Sequence, residues 1–170
     1  MGVSGNGVWR LASGVGDGSL LGEASRLALG TALGEGEGVG VCVATPPGFE
    51  LPEEIVDGVN RVARHGAALT CTTDPAEGVR GADAVYTDVW ASMGQESEAD
   101  ERKRIFAPFQ VNSALMAQAA PGALFMHCLP AHRGDEVTDE VIDSPASVVF
   151  DQAENRLHTQ KALLAMLFGG

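Results

Sequence analysis

The chain has 170 residues, of which 11 are basic and 23 acidic, and its formal net charge is −12 at pH 7. A chain of this length forms one domain with a sizeable core, since 45% of its residues are hydrophobic. The charge argues against nucleic acid or an anionic membrane as a partner, because both attract clustered Lys and Arg.

Three cysteines, Cys42, Cys71 and Cys128, are spread along the chain without a Cys-x-x-Cys spacing. This pattern predicts neither a disulfide framework nor a zinc knuckle, and it favours a reducing compartment. Charged residues or glycines interrupt every apolar run before it reaches the length of a membrane span. The first ten residues contain no apolar signal core, so we expect a cytoplasmic protein.

Short apolar runs alternate along the chain with longer helical patterns, which is typical of βαβ units. The predicted elements of the first half are a strand at Val8–Ala12, a helix at Ser19–Leu33, a strand at Val39–Ala44, a helix at Pro52–His65, a strand at Ala67–Thr72 and a helix at Asp74–Arg80. Those that follow are a strand at Ala84–Thr87, helices at Ser97–Phe106 and Ser113–Ala120, a strand at Ala123–His127, a short strand at Val148–Phe150 and a helix at Gln152–Leu167. The alternation predicts a single doubly wound α/β domain, with a mainly parallel, Rossmann-like sheet and helices on both faces.

Three loops follow predicted strands, at the edge of the sheet where such domains bind ligands: Gly14–Ser19, Asp88–Glu96 and His127–Arg133. The first loop is glycine-rich, but it departs from the Gly-x-Gly-x-x-Gly dinucleotide fingerprint because position 19 is Ser. The second predicted strand also lacks a closing acidic residue, since Ala44-Thr45 stands there. A nicotinamide-binding domain is therefore the weakest functional interpretation.

The loop Asp88–Glu96 places a carboxylate, a hydroxyl and a thioether just after a buried strand. A carboxylate such as Asp88 suits an ammonium ligand, and backbone N–H groups around Ser92 can hold a carboxylate. In the structural alternative, Asp88 caps its own turn while Trp90 and Met93 fill the core. Residue types alone favour that structural alternative.

His127 and Cys128 follow the next apolar strand, where a Cys/His nucleophile pair is one interpretation. Neighbouring residues of an extended chain point to opposite faces, so we do not expect these two side chains to bond to each other. The alternative is that Cys128 is a small buried hydrophobe. At the start of the last predicted helix, Arg156 suits a phosphate, although an ordinary surface ion pair is the commoner role.

Three motifs stand in order along the chain: Asp-x-Trp-x-Ser-Met-Gly at 88–94, His-Cys-Leu-Pro at 127–130 and Glu-Asn-Arg at 154–156. Together they resemble ornithine carbamoyltransferase, of the aspartate/ornithine carbamoyltransferase superfamily, and the Ser-Met-Gly element points to the ornithine branch. The resemblance extends from Ala44-Thr-Pro through the last helix, and it corresponds to the C-terminal, ornithine-binding domain of that family.

The resemblance implies a role for each matched residue. Asp88 would hold the α-amino group of L-ornithine and, with Cys128, take part in catalysis. Ser92 and Met93 would contact the amino-acid end of the same substrate. The residues in contact with carbamoyl phosphate would be Cys128, Leu129 and Arg156.

The implied reaction is attack of ornithine's side-chain amine on the carbamoyl carbon of carbamoyl phosphate, which gives citrulline and phosphate in arginine biosynthesis or the urea cycle. No metal and no organic cofactor are implied. A primary alkylammonium has a reference pKa near ~10.4, so the site must accept a proton before the amine can attack, and Cys128 is the candidate group.

The family's first domain carries a Ser-x-Arg-Thr-Arg phosphate loop and a His-Pro-x-Gln element, and neither string occurs in these 170 residues. The family's Gly-Asp-Gly-Asn-Asn turn reads Gly-Asp-Gly-Ser-Leu at 16–20. We therefore expect a poorly matched first βα region at residues 1–43, the ornithine-binding domain proper at 44–150, and at 151–170 a helix that packs on the missing carbamoyl-phosphate domain. The chain alone is expected to be inactive and to need that domain or chain, which in the family builds a homotrimer.

Two alternatives remain at this point. The first is a carbamoyltransferase for another amine such as putrescine, although putrescine offers Asp88 no α-amino group. The second is a non-catalytic amino-acid-binding or regulatory module that pairs with a transferase. A mitochondrial or plastid location is the alternative to the cytoplasm if a transit segment belongs to the missing sequence.

Overall fold

The computed structural model describes residues 11–12, 39–64, 66–91 and 99–168 of the chain. The predicted helix Ser19–Leu33 and the glycine-rich loop before it lie outside these residues, as do Ser92 and Met93. The strands of the described part are β1 (Leu11–Ala12), β2 (Gly40–Ala44), β3 (Ala68–Thr72), β4 (Ala84–Thr87) and β5 (Leu124–His127).

All the strand pairings within the described residues are parallel. β2 pairs with β1 on one side and with β3 on the other, and β4 pairs with β5. β1 also lies beside β4, so the two sheets meet there and the strands follow the order β3-β2-β1-β4-β5. The register of β4 with β5 runs from Ala84↔Leu124 to Thr87↔His127.

The helices of the described part are α1 (Glu53–Val62), α2 (Pro75–Val79), α3 (Ala99–Phe106), α4 (Ser113–Met116), α5 (Asp139–Ile142) and α6 (Val149–Phe168), and a 3-10 turn lies at Ala107–Phe109. Two N-caps are as the sequence suggests: Asp74 accepts a hydrogen bond from Ala76 N–H, and Asn112 accepts one from Leu115 N–H.

Two hydrophobic clusters form the core, one on each side of the strands. Val85 and Phe125 belong to the cluster that also holds buried residues of α2, α4, α5 and α6. Tyr86 belongs to the other cluster, which holds Val59 of α1. Because successive residues of a strand point to opposite faces, the helices cover both faces of the sheet. The predicted doubly wound α/β fold is confirmed.

One side chain satisfies the backbone of Leu69 at the edge strand β3. Asn60 of α1 accepts a hydrogen bond from Leu69 N–H (2.8 Å) through its Oδ1, and its Nδ2 donates to Leu69 O (2.9 Å). The amide thereby takes the place of a further strand at β3, and two backbone groups beside the buried Leu69 side chain are satisfied.

The predicted strand Val148–Phe150 is wrong, because Val149 and Phe150 are the first residues of α6. Pairing with β5 is limited to an isolated bridge between Ser147 and Phe125. In this bridge the Phe125 N–H donates to Ala146 O (2.8 Å) and the Val148 N–H donates to Phe125 O (3.0 Å). The Gln152 N–H then donates to Val148 O (2.9 Å), which is the i→i−4 bond of a helix.

The predicted helix Ser113–Ala120 is shorter than expected, because α4 ends at Met116. After it, Gln118 N–H donates to Leu115 O and Ala119 N–H to Met116 O, so the bonds tighten to the i→i−3 pattern of turns. The short helix α5 and the 3-10 turn were not predicted.

α6 is twenty residues long and is buried only at Val149. Large apolar side chains along it are more than half exposed, namely Phe150, Leu157, Leu163, Leu164, Met166, Leu167 and Phe168. No helix among the described residues combines the length and the apolar character needed to cross a membrane.

Two helical glycines give a matched test of how closely the helices pack on the sheet. A Cβ at Gly78 of α2 would lie 2.8 Å from Ala44 Cβ, whereas a Cβ at Gly58 of α1 would meet nothing within 4 Å. We expect Gly78→Ala to destabilise the fold by about 1–3 kcal/mol through overpacking. Gly58→Ala should stabilise it by about 0.5–1 kcal/mol, because alanine loses less backbone entropy in a helix.

Urea unfolding of both variants measures these effects. Equal shifts of the two midpoints in the same direction would contradict the close approach of α2 to β2.

Candidate active site

The ends of β4 and β5 bring together two motifs that are forty residues apart. Thr87 and His127 are register partners at the carboxyl ends of the strands, so Asp88 and Cys128 leave the sheet side by side. Cys128 Sγ donates a hydrogen bond to Asp88 Oδ1 at 3.0 Å, and both residues are partly buried. This contact joins the two loops that the sequence singled out.

Asp88 has a structural contact as well as this one. Its Oδ1 accepts a hydrogen bond from Val89 N–H (2.7 Å), as expected of a residue that caps its own turn. Trp90 is buried and stacks on Phe106, with the ring centroids 6.1 Å apart. The structural alternative is therefore correct for Trp90, while Asp88 serves both the turn and the contact with Cys128. Met93 lies outside the described residues.

The chain turns sharply after Cys128. Leu129 has φ 55°, in the left-handed region that L-residues rarely adopt, and the Leu129–Pro130 bond is cis. Leu129 N–H donates to His127 Nδ1 at 2.9 Å, so the imidazole ring itself holds the turn. The Leu129 side chain packs against the core cluster of Val85 and Phe125.

His127 is fully buried and faces a buried acid. Its Nε2 lies 3.3 Å from Glu136 Oε1, and neither side chain is exposed by more than 1%. Because Nδ1 accepts from Leu129 N–H, Nε2 carries the hydrogen and donates it to Glu136. Glu136 Oε1 also accepts from His132 N–H at 2.5 Å. Glu136 therefore anchors the strand end through His127 and the following loop through His132.

Glu136 was missed by the sequence interpretation. It follows Gly134-Asp135 in a polar stretch, which is typical of a solvent-exposed loop. The only signal is its position just before Val137, which is buried together with it.

The N-terminal part of α6 reaches the same strand end. Gln152 Oε1 accepts a hydrogen bond from His127 N–H at 3.1 Å. Arg156 lies one turn further along α6 with its side chain exposed, and none of the ion pairs among the described residues includes it. Glu154 instead pairs with His158 Nε2 at 3.4 Å. The role of Arg156 with a phosphate stays a prediction, as do the roles of Ser92 and Met93.

Arg133 holds the loop after Pro130 against α5. Its guanidinium donates to both carboxylate oxygens of Asp143 (2.6 and 2.7 Å) and to Asp139 Oδ1 (2.8 Å). The hydrogen bond from Arg133 lowers the pKa of Asp143. The pair is exposed, so it orients the loop more than it stabilises the fold.

Within the described ranges, two groups of side chains have the residue types of a metal site: Asp88 with His127 and Cys128, and His132 with Asp135 and Glu136. In the first group both ring nitrogens of His127 are engaged, one by Leu129 N–H and the other by Glu136. His127 therefore has no nitrogen free to ligate an ion beside Cys128.

Comparison with known proteins identifies relatives over most of the chain. The family model described as "Aspartate/ornithine carbamoyltransferase, Asp/Orn binding domain" matches residues 25–167. The anabolic ornithine carbamoyltransferase of Pyrococcus furiosus is 55% identical over 157 residues, which are 92% of this chain and 48% of the relative. The relative from Thermococcus kodakarensis is 54% identical over the same length.

Solved structures agree with these sequence relatives. The ornithine carbamoyltransferase structure from Pyrococcus furiosus superposes with a TM-score of 0.79 at 51% identity, covering 97% of this chain and 51% of that one. A structure of an N-acetyl-L-ornithine transcarbamylase has a TM-score of 0.72 at 30% identity, covering 95% of this chain and 49% of that one. The chain thus spans about half the length of the relatives it matches.

The buried contact of Glu136 can be tested by truncation. Glu136→Ala removes the acceptor for His127 Nε2–H and His132 N–H, so we expect a loss of about 3 kcal/mol of unfolding free energy. Glu140→Ala is the matched control, because Glu140 is exposed and accepts a hydrogen bond from the exposed Ser113 Oγ; it should cost about 0.5 kcal/mol or less.

Urea unfolding of the two variants provides the comparison. Similar losses in both would show that Glu136 is not the anchor of the strand end.

Proposed function

The chain belongs to the aspartate/ornithine carbamoyltransferase family, and from that premise we propose that it forms the ornithine-binding half of an ornithine carbamoyltransferase. The observation that carries the proposal is the hydrogen bond from Cys128 Sγ to Asp88 Oδ1. It unites the Asp-x-Trp-x-Ser-Met-Gly and His-Cys-Leu-Pro motifs at one edge of the sheet, where doubly wound domains bind their ligands.

Ornithine is recognised in this proposal by charge. The Asp88 carboxylate accepts hydrogen bonds from the α-ammonium, while Ser92 and Met93 contact the amino-acid end. A charge-assisted hydrogen bond of this kind is about twice as strong as a neutral one. The net charge of −12 favours approach of a cationic amine, since the field of the whole chain attracts it.

The reacting amine is the side-chain one, and we assign Cys128 to it. The α-ammonium takes the place of the Cys128 thiol at Asp88 Oδ1, and the thiol proton goes to solvent. The Cys128 thiolate then accepts a proton from the side-chain ammonium, whose lone pair attacks the carbamoyl carbon. The new bond is C–N; the bond that breaks joins the carbamoyl carbon to a phosphate oxygen, and phosphate leaves with the electron pair and takes up the second proton of the amine. Leu129 lines the reacting centre.

The negative charge that develops on the leaving phosphate must be stabilised by hydrogen-bond donors held in fixed positions. Arg156 on α6 is the cationic residue of this chain that we assign to carbamoyl phosphate. The other donors belong to a carbamoyl-phosphate domain that corresponds to the remaining half of the relatives. We infer that residues 151–170 pack on that domain, because α6 otherwise leaves seven large apolar side chains exposed.

The same proposal covers assembly and location. Residues 44–150 form the ornithine-binding domain proper, the complete enzyme is a homotrimer, and it works in the cytoplasm in arginine biosynthesis. A relative whose name includes "anabolic" supports the pathway.

Ornithine binding is tested by titrating the chain with L-ornithine and following backbone amide resonances. We expect saturable binding that Asp88→Asn weakens about tenfold, the equivalent of one charge-assisted hydrogen bond of about 1.5 kcal/mol. Asp83→Asn is the matched control, because Asp83 is exposed just before β4, and it should leave the affinity unchanged.

Putrescine distinguishes the alternative substrate class, since it lacks both the α-amino group and the carboxylate. Putrescine binding as tight as ornithine binding, or equal behaviour of the two Asp variants, would contradict the assignment of Asp88.

Catalysis is tested by citrulline formation from carbamoyl phosphate and ornithine. The chain alone should produce no more citrulline than its Cys128→Ala variant, because most phosphate donors are on the other half. Adding the separately expressed N-terminal half of the Pyrococcus furiosus relative should give activity that depends on Cys128. Activity of the chain alone, or of the Cys128→Ala mixture, would refute the division of the site.

A further inference from the structure

A second constellation of polar side chains lies on the loop after Pro130, outside the contact of Asp88 with Cys128. One ligand-type atom each of His132, Asp135 and Glu136 lies within 4.8 Å of the other two. His132 Nδ1 is 3.8 Å from Glu136 Oε2, and the His132 side chain is more than half exposed. The group therefore combines one imidazole and two carboxylates, open to solvent on the His132 side.

Glu136 is the unusual member of the group. Its side chain is 1% exposed, and its Oε1 accepts from both His127 and His132 N–H. Its Oε2 is buried and has no hydrogen-bond partner among the described residues. A buried carboxylate oxygen without a donor costs free energy unless a cation or another group meets it.

The loop that carries these ligands is already fixed. Gln110 Nε2 donates to Gly134 O (2.9 Å) and to Asp135 O (2.8 Å), and Gly134 N–H donates to Val137 O (2.8 Å). Gly134 has φ 87°, which lets the loop reverse direction. The three side chains are thus held close together by backbone contacts, which lowers the entropy cost of binding an ion.

A cation already lies beside the group. Lys103 Nζ is 2.7 Å from Asp135 Oδ2, and this hydrogen bond raises the pKa of Lys103, with a smaller contribution from the charge of Glu136. The Lys103 side chain is half exposed, so it can leave Asp135 without breaking the core. A divalent ion would compete with this ammonium for the same carboxylate.

We propose that His132 Nδ1, Asp135 and Glu136 Oε2 bind one divalent transition-metal ion of the zinc class. One imidazole nitrogen with two carboxylate oxygens is a donor set for borderline ions such as Zn²⁺ or Co²⁺, with water completing the coordination. The ion takes no part in carbamoyl transfer. It fixes the loop, and through Glu136 and His127 it fixes the turn at Leu129. The inference does not depend on the proposed function.

The test uses Zn²⁺ itself, in calorimetric titrations of the full chain carrying Cys71→Ser and Cys128→Ser so that thiols do not compete. We expect one equivalent to bind and His132→Ala to weaken binding at least about tenfold, since a ligand is lost. His158→Ala is the matched control, because His158 is equally exposed beside Glu154 on α6, and it should leave the affinity unchanged. Lys103→Met should tighten binding several-fold by removing the competing ammonium.

Glu136→Gln provides a second variant that keeps the acceptor for His127 and His132, and it should weaken binding as His132→Ala does. Co²⁺ absorption should show a site with nitrogen and oxygen ligands in the parent protein. Absence of saturable Zn²⁺ binding, equal binding by His132→Ala, or a larger loss in His158→Ala would overturn the proposal. Weaker binding by Lys103→Met would overturn the competition with Lys103.

Discussion

The parallel pairing of β4 with β5 determines where the site lies, because it fixes which residues leave the sheet together. With Thr87 opposite His127, the next residues are Asp88 and Cys128, and their side chains meet at 3.0 Å. If β5 slipped by one residue relative to β4, Cys128 would turn to the other face of the sheet and His127 would lie at the edge. The register is held by the core, since Val85 and Phe125 are fully buried on one face and Tyr86 on the other.

The buried Glu136 connects the end of β5 to the loop that follows it. His127 is buried, and both of its ring nitrogens make structural contacts, one with the Leu129 N–H and one with Glu136. The imidazole is therefore a positioning group for the Cys128–Leu129 turn, while the Cys128 thiol donates to Asp88 Oδ1. The same Glu136 accepts from His132 N–H, so strand, turn and loop share one anchor.

The sequence predicted the parallel sheet and put the loops that begin at Asp88 and His127 at its ligand-binding edge, because both loops follow apolar strands. The contact of Asp88 with Cys128 was not predicted, since it depends on the pairing and register of β4 with β5. The sequence also did not predict Glu136, since the second acid of an Arg-Gly-Asp-Glu stretch has no pattern that distinguishes it from solvated neighbours. Val148–Phe150 was misassigned because an apolar run is the same for a short strand and for a first helical turn that packs on β5. The helical interpretation is correct, because the Gln152 N–H donates to Val148 O, four residues earlier.

α6 carries both the cation that we assign to carbamoyl phosphate and the exposed apolar side chains that we expect the other half of the enzyme to cover. Its first turn holds β5 through Gln152, and Arg156 follows four residues later, about 6 Å along the helix axis. The apolar side chains from Leu157 to Phe168 continue on the same rigid element. Because α6 is one continuous helix that is held to β5 at Gln152, Arg156 keeps one position relative to the strand end, and a partner that covers these apolar side chains lies next to it. In the proposed enzyme, docking of the other half and assembly of the phosphate site are therefore one event.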